Sequence, residues 1–377
     1  MKKFVITTMA FLLMVTGISV ANADDGLEIS GHINTGAAYQ FQTNKPASTA
    51  GGALLQEQIF TPRMNPEKRN SFGFYLYDVE VDIAKSFGED IRLRTDLDFG
   101  RFNSYSPSNR KSFEIEQAYV AFDLFGAEIL VGRFNVPMGI ESVDINDNYL
   151  PMHSLLYTAL KPHNLTGIKA YYKFTDMLDM HLWVVNNLRD SISFNNNAPA
   201  FGGRIGFDFG RVQAGISGAA SPEVHTDRYG DWSYLGDLDV NFAINDKLSI
   251  GAEGLFRQDS APKGLKDNRY YAGLTNIHYV FSDVWDGTIQ YAYVNDKGGQ
   301  ASLNATGASQ MHPWGVGTSA TGGTSQYHEM GAGVTYHITD GAKIQGMYRF
   351  DYIIPDKKVF KDNGMAHSLV ANFAYEF

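Results

Sequence analysis

Segment 135–165 holds the residues whose types and spacing suggest chemistry. Glu141, Asp144 and Asp147 fall there at intervals of three, among prolines and aliphatic side chains. Bases stand at Arg92, Arg94, Arg133, Lys169, Arg204 and Arg211, in stretches that alternate polar and apolar residues or border them. Acids on a loop facing bases on a wall set a field across the gap between them, which sorts solutes by charge and dipole. In the plainer reading, the same acids are solvated or salt-bridged at little gain each.

Other patterns carry less. Asp144-Ile145-Asn146-Asp147-Asn148 spaces oxygen ligands like a calcium loop. However, Tyr149 stands where the EF-hand pattern needs glycine, and Leu155 where it needs a bidentate glutamate, so no metal is expected. A hydrolase needs a nucleophile beside a histidine, yet His367 and Ser368 are strand neighbours that point to opposite faces, and His153 with Ser154 lies in a loop. No catalytic residue is expected. The chain has no cysteine, which excludes disulfides and thiolate ligands, and no cofactor is expected. Tyr171, Trp183 and Tyr270 share the inward parity, and Trp314 lies in a loop; they could stack on sugar rings, but they are few and scattered.

The elements that must position these residues are strands. In 91–99, Ile91, Leu93, Leu97 and Phe99 oppose Arg92, Arg94, Asp96 and Asp98. The same segregation recurs from Leu27–Gln42 to Met365–Phe377, where Leu369, Phe373 and Tyr375 oppose Ser368, Asn372 and Glu376. By this parity Tyr75, Tyr77, Val79, Val81 and Ile83 face outward, opposite Asp78, Glu80 and Asp82. A charge on a lipid face at mid-bilayer costs about 2 to 4 kcal/mol, so the pattern fits a membrane barrel. Strand 113–124 breaks it, because Glu114 and Glu116 share parity with Val120 and Phe122; a bulge would shift the phase.

Short connections near 86–89, 125–127, 175–177, Gly210, 245–247, 282–286 and 339–341 alternate with long ones near 43–71, 100–112, 135–165, 187–200, 220–232, 258–268, 295–326 and 354–364. The expectation is an all-β transmembrane antiparallel β-barrel of about sixteen strands, with short periplasmic turns and long extracellular loops. Eighteen strands remain open if a long loop hides a hairpin. Such a barrel has a backbone radius of roughly 16 Å, more than side chains can fill. No N-terminal plug is expected, so obstruction falls to a loop. Segment 135–165 is the candidate constriction, whereas 295–326 is rich in Gly, Ser, Thr and Ala.

Lys2 and Lys3, the apolar run Phe4–Val20 and Ala21-Asn22-Ala23 read as a signal peptide over 1–23, leaving 24–377 as the barrel domain. Removal of two lysines makes the mature chain more acidic than the formal −10 of the whole, so nucleic acid is not an expected partner. The address is the cell outer membrane of a Gram-negative bacterium, with lipid around the barrel and the strand ending at Phe377 as the contact for the barrel-assembly machinery.

Glu116–Phe122 (EQAYVAF), Val131–Glu141 (VGRFNVPMGIE), His163–Tyr172 (HNLTGIKAYY) and Val184–Asn187 (VVNN) together resemble the OmpL-like β-barrel porin-2 family. The resemblance is best over 113–191, with Asn187 in place of the usual glycine after the VVN stretch. It implies passive diffusion of small hydrophilic solutes and ions, and a homotrimer. A substrate-specific channel for a sugar or small organic solute is the alternative, ahead of a hydrolase or an adhesin or receptor.

Overall fold

The computed structural model describes residues 26–44, 70–88, 90–100, 113–188, 198–225, 228–260, 267–297, 325–354 and 364–377. Segment 1–23, expected to be a signal peptide, Trp314 and most of 295–326 lie outside them. The strands are β1 Leu27–Asn44, β2 Asn70–Phe87, β3 Ile91–Gly100, β4 Glu114–Leu124, β5 Ala127–Asn135, β6 Asn164–Thr175, β7 Leu178–Val185 and β8 Ala200–Asp208. The second half comprises β9 Val212–His225, β10 Arg228–Asn245, β11 Leu248–Asp259, β12 Asn268–Ser282, β13 Trp285–Asp296, β14 Ser325–Thr339, β15 Ala342–Ile354 and β16 Gly364–Glu376.

Each strand runs antiparallel to its neighbours in sequence, and β16 pairs with β1, so the sheet closes with no free edge. The expected sixteen-stranded all-β barrel is what forms. At the seam, Gly31 N–H donates to the Phe377 carbonyl at 3.1 Å, and Phe377 N–H to the Gly31 carbonyl at 3.0 Å. Closure satisfies backbone groups that hydrocarbon cannot. Along β16, Leu369 and Phe373 are exposed outward while Ser368, Val370, Asn372 and Ala374 are buried inward.

Two bulges decide what faces the lumen. In the β1–β2 pair, Asn34 opposes Asp78 and Thr35 opposes Leu76, so Tyr77 is an extra residue. The phase shift corrects the outward reading of Tyr75 and Tyr77. Tyr75 is buried and its hydroxyl donates to Asn372 at 3.1 Å, while Phe72, Phe74 and Leu76 take the outer face. In the β3–β4 pair, Asp96 opposes Gln117 and Leu97 opposes Ile115, which leaves Glu116 as the extra residue. That bulge resolves the parity conflict of 113–124, since both Glu116 and Gln117 are buried.

The connection expected over 220–232 is also shorter than it reads. β9 and β10 stay paired to His225 and Arg228, with Trp232 opposite Pro222. A proline removes only one donor from such a ladder, so its presence did not end the strand.

Candidate functional site

Residues 136–163, which connect β5 to β6, are packed inside the barrel. Leu150, Met152, Leu155, Leu156 and Leu160 join Ala38, Leu255, Tyr270, Leu274, Met347 and Val370 in one apolar cluster. Val136 and Met138 join a second with Leu130, Phe134, Trp183, Val185 and Leu235. Burial of these aliphatics against the wall supplies the driving force that the sequence hinted at. It also corrects two aromatic candidates: Trp183 and Tyr270 are only 2% and 1% exposed and cannot stack on a passing solute. Tyr171 lies 4.6 Å from the His181 ring.

Polar anchors fix the segment across the lumen. Ile140 N–H donates to Glu253 on β11 at 2.8 Å, and Leu155 N–H to Glu329 on β14 at 2.7 Å. On the acceptor side, Arg257 reaches the Leu160 carbonyl at 2.8 Å, Arg349 that of His153 at 3.2 Å, and Lys343 that of Asn146 at 2.6 Å. Wall charges therefore satisfy loop backbone groups that would otherwise be buried without partners.

Within the segment, a short helix, α1 (Leu155–Leu160), begins at Ser154, whose hydroxyl accepts from Tyr157 N–H at 3.1 Å. Glu141 closes back on this cap, accepting from Ser154 N–H at 2.8 Å and from its hydroxyl. Burial pushes the Glu141 carboxyl up to about 7 against these bonds and the nearby Lys161. The rings of His153 and Tyr157 stack at 4.0 Å, and those of Tyr157 and His163 at 4.4 Å. Burial lowers His153 to about 3 and His163 to about 4, so both are neutral. Neutral His153 donates from Nε2 to the Ser142 carbonyl at 2.9 Å, and its Nδ1 lies 3.2 Å from the Tyr77 hydroxyl. Tyr77, the extra residue of the β1–β2 bulge, thus docks the loop.

The nine charged residues singled out from sequence fall into three groups. Five bases have partners of their own. Arg92 pairs with Asp123 at 3.0 Å and Glu128 at 2.6 Å, and Arg94 with Asp96 at 2.8 Å and Asp82 at 3.6 Å. Arg133 holds the Ile115 and Glu116 carbonyls at the β4 bulge, at 3.0 and 3.1 Å. Lys169 donates to the Asn135 carbonyl at 3.3 Å beside the Phe134 ring, and Arg204 pairs with Asp239.

Asp144 forms the second group alone. Its electrostatic neighbours are His32, Asp147, Asp82 and Asp96, and burial together with the three acids raises its carboxyl to about 7 while His32 opposes. The loop acid therefore meets wall acids, Asp82 and Asp96, that already hold the expected base Arg94 between them. That wall also holds Glu80, Asp98 and Glu116, whose carboxylate oxygens lie within 4.8 Å of one another.

Glu141, Asp147 and Arg211 make the third group, because all three line one cavity of about 420 Å³. Asp147 comes from the loop side, where it accepts from the Ser142 hydroxyl at 3.2 Å. Arg211 comes from the turn before β9, donates to the Ile244 carbonyl at 2.9 Å and lies 4.0 Å from the exposed Asp246. Glu141 is enclosed by Ser154, so Asp147 and Arg211 carry the opposed charges of this cavity.

Residues 26–377 match the family model described as beta-barrel porin-2, OmpL-like. The chain belongs to the OmpL-like porin-2 family. Like other porins it is an outer-membrane channel for passive diffusion of small hydrophilic solutes and ions. Solved barrels agree in fold. The anion-selective porin of Comamonas acidovorans is 12% identical at a TM-score of 0.62, over 94% of this chain and all of that one. In-vitro folded OmpT of Vibrio cholerae is 12% identical at 0.59, over 95% and 100%. Salmonella typhi OmpF, solved with daunomycin, is 13% identical at 0.56, over 95% and 99%. No curated protein matches by sequence.

Several residues of this porin site escape sequence reasoning. Glu253, Glu329, Arg349 and Lys161 look like ordinary strand or loop charges until the loop is seen between them. The uncharged wall residues Asn241, Asn276 and Gln290, which line the cavity, carry no motif at all.

Proposed function

We propose that this porin filters solutes by charge where segment 136–163 narrows the lumen, and that it prefers cations. The observation that carries the reading is the position of Asp144 beside the wall acids Asp82 and Asp96, which share Arg94 as partner and so leave more acids than bases at this point. Like charges gathered on one side of a low-dielectric passage raise the local concentration of cations and repel anions. Asp147 and Arg211 add a transverse dipole at the neighbouring cavity. The test is the reversal potential of the reconstituted channel in a salt gradient. Asp144→Asn combined with Asp147→Asn is expected to reduce cation preference, and an unchanged reversal potential contradicts the filter.

The reading involves no catalysis. The Ser154 hydroxyl is committed to Glu141 and His153 to Ser142 and Tyr77, while Ser368 is buried inward and His367 stacks on Phe41 on the outer face. In this account residues 1–23 direct export and are cleaved, β16 engages the barrel-assembly machinery, and the protein works as a homotrimer in lipid. A trimer form of Vibrio cholerae OmpT among the similar folds supports the last point.

A further inference from the structure

The inner wall beneath Tyr149 carries a line of uncharged amides. Gln213 on β9 stands directly opposite Asn241 on β10, Asn241 opposite Gly251 on β11, Gly251 opposite Asn276 on β12, and Asn276 opposite Gln290 on β13. Five adjacent strands thus present four amides and one gap at a single level. A Cβ at Gly251 would collide with the Asn241 and Asn276 side-chain oxygens and meet Ile140 of the loop. The glycine keeps the two amides at the cavity surface, on either side of Ile140.

Much of the hydrogen-bonding capacity of this line is unspent. Among the described residues no protein group binds the Asn241 side chain. Asn276 uses its oxygen to accept from Gly251 N–H at 3.0 Å, which leaves its amino group. Gln213 donates to Asp208 at 3.2 Å and Gln290 to Glu329 at 3.5 Å, so each retains its oxygen. Facing them, Tyr149 is 43% exposed within the lumen. Its ring is held flat on His278 at 4.0 Å and an interplanar angle of 8°, and its carbonyl accepts from Gln345 at 3.4 Å. An aromatic ring that borders a polar cavity and is stacked on a neighbour by one face keeps the other for a solute.

We propose that Gln213, Asn241, Asn276 and Gln290, faced by Tyr149, form a binding site for a neutral polyhydroxylated solute, a mono- or disaccharide. A sugar hydroxyl is both donor and acceptor, and a row of amides offers both without charge. The C–H face of the sugar ring finds the Tyr149 ring. A cavity of about 420 Å³ falls in the usual range for a small-molecule site. This assignment rests on the diffusion-channel reading and names the solute class that lingers on its way through.

Single-channel current across a planar bilayer, with the full-length protein, tests it. Glucose or maltose is added, and a polyethylene glycol of matched size serves as the control for simple volume exclusion. The expected result is a saturable block by the sugar that the polymer does not produce. Asn241→Leu and, separately, Tyr149→Leu are expected to raise the half-blocking concentration about tenfold, a loss of about 1.4 kcal/mol. A sugar block no stronger than that of the polymer overturns the site, as does a half-blocking concentration that both variants leave unmoved. Stronger block by a zwitterionic amino acid than by the sugar also overturns it and moves the site to Asp147 and Arg211. Absence of any conductance is a different failure, that of the channel reading itself.

Discussion

The Lys161 ammonium of the inserted loop lies 3.6 Å from the Glu253 carboxylate of β11, and both side chains are almost wholly buried, at 2% and 0% exposure. Glu253 also accepts from Ile140 N–H at the other end of the loop, so one wall carboxylate ties both ends of residues 140–161. The glycine at 139, with φ of 76°, lets the backbone approach this pair more closely than any side chain would allow.

Breaking this tie should loosen the constriction. Removing one partner of a buried pair leaves an uncompensated charge at a cost of about 3 to 5 kcal/mol. Lys161→Met is therefore expected to give larger and noisier single-channel conductance and faster proteolysis within 136–163. Lys161→Met with Glu253→Gln removes both charges and is expected to recover part of the wild-type conductance. Independent, additive effects of the two substitutions would contradict the strap.

Selectivity should depend on pH through Asp144. With its carboxyl raised to about 7, the group is mostly neutral at pH 5.5 and mostly ionised at pH 8.5. Cation preference is expected to rise across that interval, and Asp144→Asn is expected to flatten the rise around neutrality. The reversal potential at fixed salt gradient measures it, and an identical pH profile in the variant would sink the assignment.

Arg349 tests the far anchor. Its guanidinium lies 3.0 Å from Glu329 and 2.8 Å from Asp351, both buried, and donates to the loop carbonyl of His153. Arg349→Met leaves two carboxylates facing each other and is expected to destabilise the folded barrel by about 3 to 5 kcal/mol. Thermal unfolding in detergent reads this directly, with Arg349→Lys expected to fall between the variant and the wild type, because lysine restores the charge without the fork.

Much of the barrel was legible because lipid imposes a period of two that few other environments enforce so evenly. The alternation of the strands and the pairing of Met365–Phe377 with the first strand follow from it, whereas the β9–β10 hairpin runs past the boundary that 220–232 suggested. The errors at Tyr75 and Tyr77 have one cause: a bulge shifts the phase by one residue without any composition signal, since Tyr suits either face. The charged site was less legible. Parity says that Arg92, Arg94 and Arg204 face inward, but not that Asp123, Glu128, Asp96 and Asp239 claim them first. Which acids oppose which bases depends on the path of the loop, and that path is set by packing of Leu150 to Leu160 against eight different strands' worth of wall, a non-local fact.

The seam gives a further check. Phe377 contributes two backbone hydrogen bonds with Gly31. Deleting it is expected to lower the yield of folded barrel in the outer membrane at least severalfold, measured as heat-modifiable protein on a gel. Undiminished yield would show that closure does not need this residue.

The most direct test of the whole account is conductance of the purified protein in a planar bilayer under a salt gradient. Discrete, passive channels with a reversal potential of the sign that marks cation preference are predicted. Sealed membranes with no channel activity would contradict the central claim that this chain is an open diffusion pore.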